Sequence, residues 1–471
     1  LGLLVVVFPI ARSVWLAVSA PDVAVVLSST AAARVAGITA AAMWSAAILI
    51  GGRRGPALLA PLLVHVLAES DMRRTRVFGR PLAVAGASSF AVATIAAGFV
   101  AGSLSTNGQT DALGAVLLIV MGSAVGIIAF GSAVLGQALG RAAAPTSAAV
   151  ALLGVLGATS STLRPFLPSG WVDAAMTAAT SEDAAAAMPV LLLLVLALLA
   201  VLAVPVSAER LRVADLIAHA TRWEVAVNLG SSMEFGAAST LYQTLPTIGR
   251  RISAVRWSGS TAARFFIRTV VGAARTPGRF VFGVVQLGVS SAMLVIASTS
   301  HEGVLIGAVA GAVMFSGLGP LTDGIRHASQ VVAAGSIYGV ADGHLVALHC
   351  LLPVSVTGLT VGGAIIARGA LDAPDLPLFG LCAAAIGASM VGLRLAGALK
   401  GPLPLMLMTS APSPLGDPMP VVRLLWGLDG PVLAVLLGAS AGLPGSPLLP
   451  VLSLGALVAG VVTARWRRRF S

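Results

Sequence analysis

Lysine is almost missing from this 471-residue chain: of 29 basic residues, Lys400 is the single lysine and the other 28 are arginine. A Walker A loop needs Gly-x4-Gly-Lys-Ser/Thr, because its lysine reaches the terminal phosphates of the nucleotide. Lys400 follows Leu399 and precedes Gly401-Pro402, so the chain carries no P-loop of its own and is not expected to be an enzyme. Charge is scarce as well, at 10% of residues. Soluble domains carry about 25%, which excludes a water-soluble globule and a disordered chain. Cysteine is limited to Cys350 and Cys382, both in apolar runs, which excludes a disulfide scaffold and implies buried thiols. Among six histidines none forms His-Glu-x-x-His or pairs with cysteine at ligand spacing. His344 and His349 are five residues apart, on different helix faces, while His65 and His327 fall in loops. No metal site or cofactor is therefore expected in this chain.

What is abundant is apolar surface, 57% of residues with a mean hydropathy of +0.96. A helix crosses a bilayer in about 20 apolar residues. Runs of that kind lie near 1–19, 31–52, 81–102, 113–140, 145–163, 188–206, 280–300, 304–322, 345–367, 377–398, 425–443 and 448–464. The fold class expected is all-α: a polytopic membrane protein of about 12 transmembrane helices arranged as two six-helix halves. Glycines within the runs, such as Gly86, Gly98, Gly122 and Gly126, imply close helix–helix approach. The opening run has no basic lead-in, so it reads as a first span and not as a cleavable signal.

The net charge of +11 is distributed unevenly. With both termini inside, 24 of the 29 basic residues fall in the inner loops and only Arg164 and Arg368 in the outer ones. Arg12, Arg34 and Arg394 lie within spans and are expected to snorkel toward span ends. The positive-inside rule then orients a multi-pass protein in the cytoplasmic membrane with both termini cytoplasmic. Because no basic stretch lies in a foldable soluble domain, the excess does not point to nucleic acid.

Three segments are expected: a first six-span half at 1–206, a cytoplasmic linker at 207–279 and a second six-span half at 280–471. A repeat relates the halves. The second span of each runs into Gly-Pro, at Gly55-Pro56 and Gly319-Pro320, followed by an amphipathic stretch and then Pro81 or Pro353. Parallel repeats of this kind commonly build transport pathways. Within the linker, 261–275 plotted at 100° per residue clusters Arg264, Arg268 and Arg275. Phe266, Ile267, Val270 and Ala274 occupy the opposite sector, with Phe265 and Val271 beside it. This pattern fits an amphipathic helix on the inner membrane surface, or a solvated linker helix with incidental charge.

Acids deep in the spans, the usual mark of a proton relay, are few. Asp429 lies near one end of its span, and Glu302 and Asp323 at span ends. That scarcity favours energy supplied by a partner over coupling to ions.

The arrangement resembles the membrane (permease) subunit of type-2 ATP-binding-cassette exporters, especially the fused twelve-span form of high-GC actinobacteria. The resemblance rests on Arg54-Gly-Pro-Ala-Leu-Leu-Ala-Pro through Asp71-Met-Arg-Arg-Thr-Arg76 to Arg80-Pro81. It rests also on Gly319-Pro-Leu-Thr-Asp-Gly-Ile-Arg326 through Asp342-Gly-His344 to Pro353, and on Thr409-Ser-Ala-Pro-Ser-Pro-Leu-Gly416 leading to Arg423 and Asp429. It implies ATPase-coupling loops at 57–80 (Arg73, Arg74, Arg76, Arg80) and 324–344 with its flank (Asp323, Arg326, Asp342). It also implies an amphipathic connecting helix carrying Arg264, Phe266, Ile267, Arg268, Val270 and Arg275. Small external helices between the last two spans are implied at 164–187, whereas the corresponding loop, Leu443-Pro-Gly-Ser-Pro447, is too short for them. The partners implied are two copies of an ATP-binding-cassette ATPase subunit, which would hold ATP and Mg, the lipid bilayer and an amphiphilic substrate. The alternatives are a major-facilitator-like secondary carrier and a non-transporting membrane scaffold.

Overall fold

A computed structural model describes residues 11–470 except 13, 17, 69, 181–186, 232–237, 239, 244–248, 250–252, 254–259, 301–302, 333–338, 371–374, 402 and 410–416. Residues 1–10 of the first expected span, Glu302, the linker arginines Arg250, Arg251 and Arg256, and most of 409–416 lie outside the described residues. The chain is an all-α polytopic membrane protein. Ten described stretches are long and apolar enough to cross a bilayer. They hold eleven of the twelve expected spans, because Ala112–Thr159 contains two. The break between those two is Gly140, whose φ of +54° ends one helix and admits the short 3-10 turn Gly140–Ala142.

Two compact units divide the chain, Leu1–Asn228 and Leu229–Ser471, the division falling inside 207–279. In the first unit the elements run α1 (Pro21–Leu27), α2 (Thr30–Arg53), α3 (Pro61–Ala68), α4 (Arg74–Val77), α5 (Gly79–Thr106) and α6 (Ala112–Leu139). They continue with α7 (Ala143–Thr159), α8 (Pro168–Ala179), α9 (Ala187–Glu209) and α10 (Val213–Ser231), whose last residues pass the division. The second unit holds α11 (Thr261–Ala274), α12 (Pro277–Ala297), α13 (Gly303–Leu318), α14 (Asp323–Val332), α15 (Asp342–Gly369), α16 (Leu376–Leu399), α17 (Leu405–Met408), α18 (Met419–Ser440) and α19 (Leu448–Phe470).

Local chemistry starts these helices where the sequence supplies caps. The Ala32 amide donates to Ser29 Oγ (3.2 Å) at the head of α2, and the Gly114 amide to Asp111 Oδ1 (2.7 Å) at the head of α6. Packing between spans then repeats in both units. In the first, α2 packs on α7, α5 on α6 and α6 on α9; in the second, α13 packs on α18, α15 on α16 and α16 on α19. These are the same pairs by position in each half.

Glycine governs the tightest of these contacts. A Cβ at Gly51 would strike the Ala133 carbonyl, and one at Gly136 the Ile48 carbonyl. On α13 and on α18 with the turn that follows it, Gly303, Gly307 and Gly311 meet Gly442, Gly438 and Ala434 backbone to backbone. With little solvent-driven gain between helices inside a bilayer, such close approach supplies the dispersion that holds them together. Of the glycines singled out from sequence, Gly122 and Gly126 make such contacts with α5, Gly86 faces the Phe130 ring, and Gly98 faces open space. Cys382 is buried, whereas Cys350 is only half-buried.

Candidate functional site

The basic end of the first unit is built on its own apolar core. Ala57, Val64, Phe78, Leu82, Val134, Leu211 and Leu216 pack there, joining the loop after α2 to the ends of the neighbouring spans and to α10. Within that loop α3 buries Val64 but exposes Leu62 (73%), Leu63 and Val66. The short α4 is held from its N-terminus by Glu209, the last residue of α9. The Arg74 and Thr75 amides donate to the Glu209 carboxylate at 3.3 and 3.2 Å, the Thr75 hydroxyl at 3.1 Å, and Arg74 Nη1 donates to the Glu209 carbonyl at 3.1 Å. An acid there satisfies orphan amides and the positive end of the helix dipole. Arg74 is therefore spent inside the unit, while Arg73, Arg76 and Arg80 are exposed.

The helix α10 was not singled out from sequence, because Asp215, His219, Arg222, Glu224 and Asn228 interrupt its apolar pattern. It closes the same end: the Arg54 guanidinium lies 3.5 Å from the centroid of the Trp223 ring, a cation–π stack. His219 is buried beside them, and desolvation pushes its imidazole below the usual 6.5. Arg222 lowers it further, whereas Asp215 and a hydrogen bond to the Gly52 backbone oppose the shift.

At the basic end of the second unit, the segments expected to be the connecting helix and the coupling loop converge on one residue. The Phe265 ring of α11 meets the His349 ring edge-on, centroids 5.5 Å apart. From α14, Gly324 packs so closely on His349 that a Cβ there would lie 2.7 Å from Nδ1. Phe266, Val270 and Ala273 pack on the unit's main core, so the buried stripe of α11 includes Ala273, and Ala274 is exposed. Ile267 and Arg268 are half-buried at the edges of that stripe, Arg264 is exposed, and Arg275 is the residue just after the last turn. Asp323 pairs with Arg279 at 2.9 Å, tying the head of α14 to α12. Asp342 sits in the first turn of α15, where its charge suits the helix dipole, and Arg326 points along a cavity wall described below.

The opposite ends of the two units differ. In the first unit α8 is inserted among α2, α6, α7 and α9, with Ser169, Val172, Asp173 and Met176 buried. Gly37 and Gly157 leave room for Ser169, and the Thr110 hydroxyl donates to the Ala179 carbonyl at 2.5 Å. Asp173 faces Arg164 at 3.4 Å, yet burial outweighs Arg164 and Arg34 and raises its carboxyl above the usual range. In the second unit no helix occupies the short turn after α18. A cavity of about 430 Å³ lies there instead, walled by that turn, by α12, α15 and α16 and by Val304 of α13. It is lined by Leu294, Phe379, Cys382 and Ile386 together with Ser298 and buried Arg368, whose Nη1 donates to Ser298 Oγ at 2.6 Å.

Among the described residues no three His, Cys, Asp or Glu side chains gather as a metal site. No protein-family model matches the chain, and neither a curated protein nor a solved structure is similar to it.

Proposed function

We propose that the chain is the permease subunit of an ATP-binding-cassette exporter, driven by ATP hydrolysis in a separate subunit. The basic ends lie in the cytoplasm, with both termini inside the cytoplasmic membrane, as the positive-inside rule requires. The single observation that carries the reading is the junction at His349. An amphipathic helix and a loop helix both bear on one residue of a membrane span, so a push on either reaches the span through rigid side chains. In the first unit the exposed Leu62, Leu63 and Val66, flanked by Arg73, Arg76 and Arg80, supply an apolar patch with a basic rim for the ATPase. The cavity around Arg368, with apolar walls beside Asp375 and several hydroxyls, suits an amphiphilic substrate with a polar head.

The test is co-purification. The full chain, expressed with the ATP-binding-cassette ATPase encoded beside it, should bring the ATPase down. R73E/R76E/R80E should release it while eluting as a monodisperse membrane protein. Nucleotide-independent transport by the chain alone in proteoliposomes, abolished by a protonophore, would replace this reading with the secondary carrier.

A further inference from the structure

The second unit holds a larger cavity, about 620 Å³, at its basic end. Its walls come from α14, the last turn of α16, the first half of α18 and the last turns of α19. Five cationic side chains line it: Arg326, Arg394, Lys400, Arg465 and Arg469. The single acid on the wall is Asp429.

Asp429 is shared. Its Oδ1 accepts from Lys400 Nζ at 2.7 Å, and Oδ2 accepts from Arg465 Nη2. Arg465, Arg469, Arg394 and Lys400 also meet neutral groups. Arg465 Nη1 donates to the Ala396 carbonyl at 2.9 Å and Arg469 Nη1 to the Leu399 carbonyl at 3.2 Å, so both cap the end of α16. Arg394, expected to snorkel toward a span end, reaches across to the last turn of α13. Its Nε donates to the Phe315 carbonyl at 2.9 Å and its guanidinium lies 3.8 Å from that ring's centroid. Lys400 Nζ stands 3.9 Å from the Trp426 ring centroid.

Carbonyl dipoles and aromatic faces orient these cations without cancelling their charge. Among the described residues lining the concavity, one carboxylate stands beside five cations. Capping explains one donor on each arginine of α19, and a guanidinium has five. The spacing of Arg465 and Arg469, four residues apart, turns both to the same side of α19, while Arg467 and Arg468 are exposed on the other. Several pre-oriented forks around a space of that size fit an anion with several oxygens on one centre, as phosphate has, better than a planar carboxylate. Trp426 and the span ends place the cavity where lipid headgroups lie.

We propose that this cavity is a binding site for a phosphate group, supplied either by an anionic lipid headgroup or by a soluble phosphate. The site is independent of the transport reading, because it needs only this unit's own residues.

The full chain, purified in a neutral detergent without nucleotide, is heated in inorganic phosphate and in chloride of equal ionic strength. It is then placed in nanodiscs of phosphatidylcholine with or without phosphatidylglycerol, and bound lipid is counted by native mass spectrometry. Phosphate, phosphatidylglycerol or both should raise the unfolding midpoint by several degrees. R326Q/R469Q should weaken that binding by about tenfold or more, since each lost fork removes a charge-assisted bond. R467Q/R468Q removes the same net charge from the exposed side and should leave binding intact. A response to phosphatidylglycerol alone identifies a headgroup site, and a response to inorganic phosphate identifies a soluble ligand. If neither ligand shifts the wild-type midpoint beyond its control, the proposal is wrong. Equal loss in both double variants overturns it too, since the effect is then general charge. Should R326Q/R469Q fail to fold, R469Q alone gives the same contrast against R468Q.

Discussion

Gln137 holds both faces of the Ala57 peptide: its Oε1 accepts from the Ala57 amide at 3.0 Å and its Nε2 donates to the Ala57 carbonyl at 3.2 Å. Both residues are buried, and the clamp fixes the chain where α2 ends and the loop to α3 begins. Gly55 passes directly over the Gln137 amide with φ +68°, where a Cβ would collide with it. Gln137→Ala leaves two buried backbone groups without partners and should cost about 1–3 kcal/mol. Gly55→Ala adds left-handed backbone strain of about 1–2 kcal/mol to the collision. In G55A/Q137A the collision is gone, so the double variant should lose less than the sum of the singles by about 0.5–3 kcal/mol, read from unfolding midpoints. Strict additivity would show that the two residues do not press on each other.

The glycine seam between α13 and α18 makes a second prediction. Gly307 and Gly438 meet backbone to backbone, whereas Gly358 and Gly460 have open space where a Cβ would stand. Gly438→Leu must drive the two helices apart, costing about 1–3 kcal/mol or more. Gly460→Leu should be silent. Fluorescence-detected gel filtration of the detergent-solubilised chain separates the two: G438L should aggregate and G460L should elute as wild type. The converse pattern would mean that the α13–α18 pair does not carry the unit.

His219 confers a pH dependence whose sign follows from its environment. Desolvation and Arg222 hold the folded-state imidazole below its ordinary value of 6.5. The unfolded chain therefore binds the proton more readily. Stability contributed by neutral His219 is fully present above about pH 6.5 and is lost as pH falls through the lowered folded value. The unfolding midpoint should drop between pH 7 and pH 5, and His219→Gln should flatten that drop. A midpoint equally pH-sensitive in H219Q would assign the effect to other groups.

The spans were legible because twenty apolar residues in a row have few other uses. The break after α6 was legible too, since Gly140 and Pro145 punctuate an otherwise unbroken run. What stayed hidden needed pairs of residues far apart in the chain. Glu209 lies just past the apolar run 188–206, and nothing in its neighbourhood announces Arg74 and Thr75, 135 and 134 residues away. Asp429 read as a lone acid near a membrane boundary, yet it is held by Lys400 and Arg465. The buried setting of α8 was hidden for a related reason. Its small residues, Ser169, Gly170 and Ala175, carry little hydropathy, so the segment reads as small external helices, whereas glycines on neighbouring helices make space for it inside. On α11 the angular plot found the apolar stripe but placed its last member one residue late, at Ala274 instead of Ala273.

The grip of Glu209 on α4 leads to the remaining prediction. A four-residue helix cannot stand by itself, because the cost of nucleation exceeds what so few hydrogen bonds return. Glu209 supplies that deficit through two amides and one hydroxyl, much as a capping residue does. Loss of a cap costs about 0.5–2 kcal/mol, and here the loss falls on local opening of the loop and not on the whole unit. Trypsin reads that opening directly, since Arg73, Arg74 and Arg76 are cleavage points within it. Where opening equilibrates faster than cleavage, the rate follows the open population, so Glu209→Ala should speed cutting in this loop by about 2- to 30-fold. Cutting after Arg210 and Arg212, outside the capped helix, serves as the internal reference. If both sites accelerate together, α9 itself has frayed and the cap is not the cause. If only the 73–76 sites accelerate, the loop carrying the exposed arginines is ordered by an acid more than 130 residues further along the chain.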